Sequence, residues 1–322
     1  MSAVAPEPLM QLGATLPIAD IGTGPTVVRD YAQAAEGLGY SHLLVGDHVL
    51  GANPAATRGV FVSSAAEMAS RHGDYRRVGS SMYAFHDPFV LFGFLTGYTQ
   101  RIGFTVGVLI LAQRQAALVA KQAASLDILC GGRFRLGIGV GWNEVEFIAL
   151  NENFHNRGRR SEEQVRVMQA LWAEPHVTFT GEFHRLEDVG INPRPASGRV
   201  PIWFGGDAEA SFRRAAKYGD GFMPLNYPPG DGALTAFEKL RKLTQEAGRD
   251  PSEIGLEVWV SPGVGTEEDW RREIAFWKSA GVTHVTARTT FNSGHHQRIA
   301  GHTAADHLAA ITKHRAAVAD LL

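Results

Sequence analysis

The alternation of short apolar segments with helical patterns constrains this chain of 322 residues more than any other feature. Each strand-like segment is followed by one whose apolar residues recur at helical spacing. The predicted strands are residues 9–16, 42–45, 102–108, 134–138, 201–204, 221–223, 255–260 and 282–287. Eight strands with a helix after each is the count of a (β/α)8 barrel, so we predict one α/β domain over residues 1–322.

Two insertions interrupt this alternation. The polar, glycine-containing segment 49–83 follows the second strand, and we expect it to form part of a lid over the active-site face. Residues 177–186, after the fourth strand and its helix, are typical of a hairpin that turns at Gly181. A doubly wound sheet is the alternative fold, but its GxGxxG signal after the first strand is missing from the amino terminus.

Residue types at two predicted helix ends support this division. Asp87 suits the N-cap and Pro88 the first position of the helix before the third strand. Gly39 suits the left-handed position that follows the end of the first helix. These signals indicate that the helices begin and end where the alternation requires.

Composition favours a small-molecule partner. The 31 basic and 33 acidic residues give a net charge of −2 and form no basic block, which argues against nucleic acid or an anionic membrane as partner. Cys130 is the only cysteine, so an intramolecular disulfide and a cysteine-based metal site are excluded. The sequence shows neither a signal peptide nor a long apolar window, so we expect a soluble, cytoplasmic protein.

Polar residues and glycines gather where the predicted strands end, which in a barrel is the ligand-binding face. They are Asp47 and His48 after the second strand, Gly107 and Val108 at the third, Gly139, Asn143 and Glu144 at the fourth, and Gly205, Gly206 and Asp207 after the fifth. An isolated Asp-His pair is commonly a surface pair, but this position favours chemistry. His48 can donate a proton or polarise a substrate oxygen, and Asp47 can hold its ring or contact a cofactor.

The fourth strand ends in a glycine-rich loop. Gly137, Gly139 and Gly141 remove side chains there, so the pattern predicts that something approaches the backbone; a simple tight turn is the alternative.

Gly205 and Gly206 open a helix directly after the fifth strand. Such a turn suits a phosphate, with Asp207 as the helix cap. An ordinary turn between strand and helix is the alternative, and the charge of Asp207 would oppose a phosphate.

No pattern points to a metal or to nucleophilic catalysis. His295 and His296 are adjacent, so we expect their side chains to point in different directions, and no HExxH spacing occurs. There is no GxSxG motif, and Cys130 lies at an apolar helix end where we expect it to be buried.

Together these motifs resemble the bacterial-luciferase-like monooxygenase superfamily, and within it the oxidoreductases that depend on the deazaflavin coenzyme F420. The matching stretches are Asp47-His48 and residues 87–92, 105–147, 157–172 and 201–224. The resemblance is good over residues 9–224 and weak beyond them.

The resemblance implies a bacterial-luciferase-like (β/α)8 barrel that binds a flavin-type ring at the carboxyl ends of its strands, with the cofactor phosphate at Gly205 and Gly206. The family has a non-prolyl cis peptide after the third strand, and by position this bond joins Gly107 to Val108.

The resemblance also suggests residue roles. Asp47 and Asn143 match family positions that contact the ring, and His48 matches one near the reacting carbon. The family's sugar-phosphate dehydrogenases place an acidic glutamate where Val140 stands here, which disfavours sugar-phosphate oxidation. Glu144 is near enough in sequence to serve as an acid instead.

We therefore predict an oxidoreductase that transfers a hydride between reduced F420 and a small, mostly apolar organic substrate, with His48 as proton donor. An FMN-dependent monooxygenase and a non-catalytic flavin-binding barrel are the alternatives. Residues 89–95, FVLFGFL, form too wide an apolar surface for one buried stripe, so we predict a homodimer through this helix. Burial of the helix beneath residues 49–83 is the alternative.

Overall fold

A closed barrel of parallel strands forms the centre of the molecule. A computed structural model describes residues 10–56, 58–63, 75–224 and 227–322. The described strands are β1 (Gln11–Thr15), β2 (His42–Val45), β3 (Gly103–Ile110), β4 (Phe134–Gly139), β5 (Val177–Thr180), β6 (Arg185–Val189), β7 (Ile202–Gly205), β8 (Gly221–Met223), β9 (Gly255–Val260) and β10 (His284–Ala287). All but β5 and β6 close into the barrel, in the order β1, β2, β3, β4, β7, β8, β9, β10. The predicted (β/α)8 barrel is therefore confirmed.

Helices follow the strands along the chain. Those with both ends in the described ranges are α1 (Ile18–Ile21), α2 (Pro25–Gly37), α3 (Tyr75–Val78), α4 (Pro88–Thr96), α5 (Ala116–Leu129), α6 (Glu144–Ala149), α7 (Arg157–Ala173), α8 (Glu209–Tyr218), α9 (Asp231–Glu246), α10 (Glu267–Ser279) and α11 (Ala304–Val318). The sequence pattern misses α1, α3 and α6, because one turn of helix is too short to show periodicity. No helix among the described residues is long and apolar enough to cross a bilayer.

The predicted helix-end signals are confirmed. The Asp87 carboxylate accepts hydrogen bonds from the backbone N–H groups of Phe89 and Val90, which caps α4, and Pro88 is its first residue. Gly39 has a φ of 81°, the left-handed conformation expected just after α2.

The hairpin of β5 and β6 is an insertion outside the barrel, as predicted. One carboxylate on α7, that of Glu163, anchors its turn by accepting the backbone N–H groups of Glu182, Phe183 and His184. A Cβ at Gly181 would lie 2.3 Å from the carboxyl carbon of Glu163, so only glycine fits this anchor.

The apolar surface of α4 packs largely within its own chain. Its buried side chains, which belong to the main hydrophobic core, are Phe89, Leu91, Phe92 and Leu95. The ring of Phe92 lies 4.9 Å from that of Phe104 on β3, so the barrel itself covers much of the helix. Val90 is 70% exposed. The homodimer through this helix stays a prediction.

A buried polar network fills the amino-terminal half of the barrel interior. Glu257 Oε1 lies 2.9 Å from His42 Nε2 and accepts a hydrogen bond of 2.5 Å from the Thr286 hydroxyl. Glu257 Oε2 lies 3.0 Å from Arg135 Nη1, and the Arg135 guanidinium lies 4.5 Å from the centre of the Trp203 ring. Burial would raise the pKa of Glu257, but the charge of Arg135 and the bond from His42 hold it well below its usual range.

Candidate active site

A cavity of about 400 Å³ opens where the barrel strands end. Residues at or just after every barrel strand line it. Among the sequence-predicted site residues, those in its walls are Asp47, His48, Gly107, Val108, Gly139, Gly205, Gly206 and Asp207. Asn143 and Glu144 do not line it. The structure thus places eight of the ten candidates at the face where barrels of this kind bind ligands.

One wall of the cavity is built around Val108. The peptide bond between Gly107 and Val108 is cis, at the position that the family resemblance implies. A Cβ at Gly139 would lie 2.5 Å from Val108 Cγ2, and one at Gly205 would lie 2.6 Å from Val108 Cγ1. Both distances are too short for real side chains, so these two glycines make room for the isopropyl group of Val108.

The same fit extends along β4. A Cβ at Gly137 would lie 2.0 Å from the carbonyl oxygen of Val106, and one at Gly141 would lie 2.7 Å from Cγ2 of Ile110. The sequence predicts that something approaches this backbone, and the structure shows that β3 of the same chain does so. Gly139 and Gly141 nevertheless line the cavity as well.

Asp47 is held rigidly in the cavity wall. Its Oδ1 accepts a 2.8 Å hydrogen bond from Arg114, and its Oδ2 accepts the backbone N–H of Ile110 at 3.1 Å. Arg114 also donates to Asp87, the residue that caps α4. Burial raises the pKa of Asp47, and the charge of Arg114 opposes that rise. This network links the end of β2 to the start of α4.

His48 is paired with a glutamate that the sequence did not suggest. Its Nδ1 lies 2.5 Å from Glu146 Oε1, and Asn143 Nδ2 donates to the same oxygen at 3.0 Å. Glu146 is fully buried. Of the two roles predicted for Asp47, Glu146 and not Asp47 holds the imidazole ring, and contact with a cofactor stays a prediction. The only signal for Glu146 in the sequence is its spacing of three residues from Asn143, because side chains three residues apart on a helix are neighbours.

Glu144 and Asn143 lie outside the cavity walls. Glu144 Oε1 is 3.8 Å from Nε2 of His155, whose side chain is 82% exposed, so the predicted acid is directed toward the surface. Asn143 is buried and contacts Glu146. The carboxylate nearest to His48 on α6 is therefore Glu146, two residues beyond the one that the sequence suggested.

Aromatic rings surround the His48 imidazole. Phe85 and Trp142 lie 5.0 and 6.0 Å from it between ring centres, and both line the cavity. The side chain of His48 is 12% exposed. These rings keep bulk water away from one end of the cavity while leaving the imidazole in its wall.

Helix α8 begins at the cavity without a side-chain cap. Gly206 has a φ of 129°, and a Cβ there would lie 2.7 Å from the Ser211 hydroxyl oxygen. The N-cap residue is Ala208, whose side chain cannot accept a hydrogen bond, so the prediction that Asp207 caps this helix is wrong. Ala208 and Ser211 line the cavity, so the uncapped amino end of α8 borders it and suits an anion.

The wall after β9 and β10 carries a cation that the sequence reading missed. The Arg288 guanidinium lies 4.5 Å from the Trp259 ring centre and 4.4 Å from that of Phe291, and all three residues line the cavity. Burial raises the pKa of the nearby Tyr83, and a hydrogen bond with Thr290 opposes that rise. Arg288 lies beyond residue 224, where the sequence motifs quoted above do not extend.

Metal ligation finds no support in the described part of the chain, where no group of three His, Cys, Asp or Glu residues is arranged to hold an ion. The expectation that His295 and His296 point in different directions is wrong, because their ring centres are 3.9 Å apart. Burial lowers the pKa of His296 to about 2. The pair is therefore a packed, neutral stack.

Comparison with known sequences gives a consistent family. A sequence model described as luciferase-like monooxygenase matches residues 10–322. A Mycobacterium tuberculosis protein with no assigned function is 33% identical over 243 residues, which cover 74% of this chain and 80% of that protein. The FMNH2-dependent dimethylsulfone monooxygenase of Pseudomonas fluorescens is 38% identical over 164 residues, which cover 50% of this chain and 44% of that enzyme.

Solved structures share the fold at low identity. An F420-dependent secondary alcohol dehydrogenase, in complex with an F420-acetone adduct, superposes with a TM-score of 0.71 at 18% identity, over 96% of this chain and 99% of that one. The coenzyme F420-dependent tetrahydromethanopterin reductase of Methanopyrus kandleri gives 0.69 at 14% identity, over 95% and 98%. At such identities the likeness establishes the fold alone.

Proposed function

Because the chain belongs to the luciferase-like monooxygenase family, we propose that it transfers a hydride between reduced coenzyme F420 and a small, mostly apolar organic substrate. The observation that carries this proposal is the ionisable His48 in the wall of the cavity, with the buried Glu146 behind it. Hydride transfer to a polarised double bond needs a matching proton, and imidazole titrates in the range where it can supply one.

The cavity residues fit a flavin-type ring with a phosphate tail. Val108 presents its apolar side chain from the cavity wall, which suits the face of a planar ring. Gly206 and Ser211, at the uncapped start of α8, suit the phosphate. When bound, such a cofactor supplies the hydride chemistry, which no side chain provides.

The remaining tasks fall to the chain itself. His48 supplies the proton, while Phe85 and Trp142 exclude water beside it. Asp47, fixed by Arg114, keeps the end of β2 in place and so fixes the position of the next residue, His48. Trp259 and Phe291 supply apolar surface for the substrate on the other side.

A second candidate is an FMN-dependent monooxygenase that uses the same cavity. The observation in its favour is the 38% identity over 164 residues to an enzyme named as FMNH2-dependent. The shared stretch covers 50% of this chain and 44% of that enzyme.

Parallel titration of the purified protein with F420 and with FMN tests the proposal. We expect F420 to bind at least about ten-fold more tightly, a difference of about 1.4 kcal/mol. Reduced F420 should then be oxidised by small enones such as 2-cyclohexen-1-one. Tighter binding of FMN, with conversion of dimethyl sulfone to an oxygenated product only when reduced FMN and oxygen are both supplied, would establish the second candidate. Cofactor binding without oxidation by a panel of enones, ketones and aldehydes would favour the non-catalytic barrel.

A further inference from the structure

We infer that Glu146 is the residue that positions His48, by holding a proton on its Nδ1 so that Nε2 is the atom that delivers a proton into the cavity. This inference rests on the proposed function and deepens it. Glu146 is a positioning residue rather than a catalytic one, because it acts through the imidazole and does not itself line the cavity.

The geometry assigns the two ring nitrogens different tasks. Nδ1 faces the carboxylate at 2.5 Å, and a carboxylate can only accept, so the proton of this hydrogen bond belongs to Nδ1. Across the described ranges no hydrogen bond reaches Nε2, while the His48 side chain lines the cavity. Nε2 is therefore the nitrogen available to a substrate, and the hydrogen bond at Nδ1 fixes the orientation of the ring.

Asn143 supports this arrangement at the expense of its usual role. It occupies the N-cap position of α6, for which asparagine is among the best residues, yet its side chain makes no capping hydrogen bond. Its amide instead donates to Glu146 Oε1, the oxygen that faces His48. The side chain that would ordinarily stabilise the helix thus holds the carboxylate in place.

The other oxygen of Glu146 leaves His48 as its only cationic partner among the described residues. Glu146 Oε2 is buried and has no hydrogen-bond partner in the part of the chain that the structure describes, which carries a desolvation cost. Glu257 Oε2 also lacks a hydrogen bond, but it lies 3.0 Å from the guanidinium of Arg135. The pairing is most favourable when His48 is protonated, since a charge-assisted hydrogen bond is stronger than a neutral one.

The proton balance of the proposed step follows from this pairing. A bound reduced deazaflavin would supply a hydride to the substrate double bond, and Nε2 of His48 would supply the matching proton, so the substrate would gain two electrons and two hydrogens. His48 passes from imidazolium to neutral imidazole and keeps its Nδ1 proton on the Glu146 side. Glu146 gives up no proton in this step, and a proton taken up from solvent restores Nε2–H afterwards.

The first test needs no turnover. Nitrogen-15 NMR of the histidine rings, with His48 identified by its loss in the His48→Asn variant, reports which ring nitrogen carries the proton. At a pH high enough to make the ring neutral, we expect Nδ1–H in the wild type and in Glu146→Gln, whose amide oxygen still accepts. In Glu146→Leu we expect a mixture of tautomers. An Nε2–H tautomer in the wild type, or a ring unchanged in Glu146→Leu, would overturn the inference.

The second test uses reduced F420 and 2-cyclohexen-1-one. Glu146→Gln should lower kcat roughly 10- to 1,000-fold, less than full loss of a general acid, with cofactor affinity within about three-fold. As the pH is raised, the activity of Glu146→Gln should decline at a lower pH than that of the wild type. Without the carboxylate the imidazolium of His48 gives up its proton more readily. The double variant His48→Ala/Glu146→Gln should be no slower than His48→Ala within about three-fold, since both residues act through one proton.

Matched substitutions separate the possible failures. Glu187→Gln, at an exposed position on the hairpin, should leave the His48 tautomer, kcat and its pH dependence unchanged. A larger loss of kcat in Glu144→Gln than in Glu146→Gln, or additive effects in the double variant, would overturn the role of Glu146. If the NMR result holds and the wild type does not oxidise reduced F420, the pairing stands and the proposed function fails.

Discussion

Two histidine–glutamate pairs lie close to the two ends of β2 and differ in their surroundings. At the amino end, His42 and Glu257 are enclosed in the barrel together with the cation of Arg135. At the carboxyl end, His48 and Glu146 stand against the cavity, and in the described structure one oxygen of Glu146 has no partner. The two pairs consist of the same residue types, but the carboxylates have different environments.

This difference separates stability from chemistry within one barrel. A carboxylate that meets a cation and a hydroxyl group stays ionised and ties several strands together, which stabilises the closed end. A carboxylate whose main partner is an imidazole in a cavity wall controls where that imidazole holds its protons. Substitutions at the amino-terminal pair should therefore alter unfolding, and those at the cavity pair should alter turnover.

The largest effect should come from His48→Ala. A positioned general acid contributes roughly 100- to 10,000-fold, so we expect kcat with reduced F420 and 2-cyclohexen-1-one to fall by that factor. Cofactor affinity, measured by titration, should stay within about three-fold, and the free energy of unfolding should change little. If affinity collapses while the bound fraction turns over normally, His48 packs against the ring and the proton comes from elsewhere.

Glu257→Gln should produce the opposite result. It leaves the cation of Arg135 buried without its counter-ion, and breaking a buried pair in this way costs about 3 to 5 kcal/mol. Urea unfolding should show this loss, while kcat of the folded fraction stays near the wild-type value. The double variant Glu257→Gln/Arg135→Met should recover part of the stability. A single variant as stable as wild type would show that this network does not hold the barrel together.

Substitution of Gly205 at the cavity should have a smaller effect on the free energy of unfolding, which is still measurable. Gly205→Ala places a Cβ against Val108 Cγ1 and should cost about 1 to 3 kcal/mol of unfolding free energy through overpacking. Val108→Ala in the same chain should restore much of this free energy, because it removes the clashing atom.

Gly205→Asp should in addition weaken cofactor binding, since its charge opposes a phosphate at the start of α8. An unchanged dissociation constant in folded Gly205→Asp would remove the phosphate assignment.

The sequence predicts most of the fold because buried parallel strands appear as apolar runs between turn residues. His42–Val45 and Gly221–Met223 are predicted to the residue. The site is less accessible to such reasoning. Positions after strand ends identify His48, but the partner of its ring lies 98 residues away on a helix of six residues, where no periodicity can develop.

The glycines of β4 show the same limit in another form. Their spacing reveals that something approaches the backbone, yet only the register of β3 against β4 shows that Val106, Val108 and Ile110 do so. Arg288 was missed because no motif in the sequence marks it, although the family model matches the chain as far as residue 322. Contacts between distant segments, rather than local patterns, determine these features.

The smallest predicted effect concerns the stability of the closed end in acid. Burial lowers the pKa of His284 from 6.5 to about 3, so its ring is neutral in the folded chain. In the unfolded chain the same ring takes up a proton as the pH falls below about 6.5. The unfolded state therefore binds more protons between these two values, and the free energy of unfolding decreases as the pH falls through that window.

His284→Gln should reduce this acid sensitivity. Between about pH 6.5 and pH 5, the free energy of unfolding measured in urea should decrease by roughly 1 to 2 kcal/mol more in the wild type than in the variant. Glu257 contributes little in this window, because an unfolded glutamate with a pKa of 4.5 is mostly ionised at pH 5 and above. His155→Gln, at an exposed ring, should keep the wild-type slope. If the free energy of unfolding of His284→Gln depends on pH as that of the wild type does, the folded barrel tolerates a second charge beside Arg135. The contrast between the closed and open ends of the barrel would then rest on Glu257 alone.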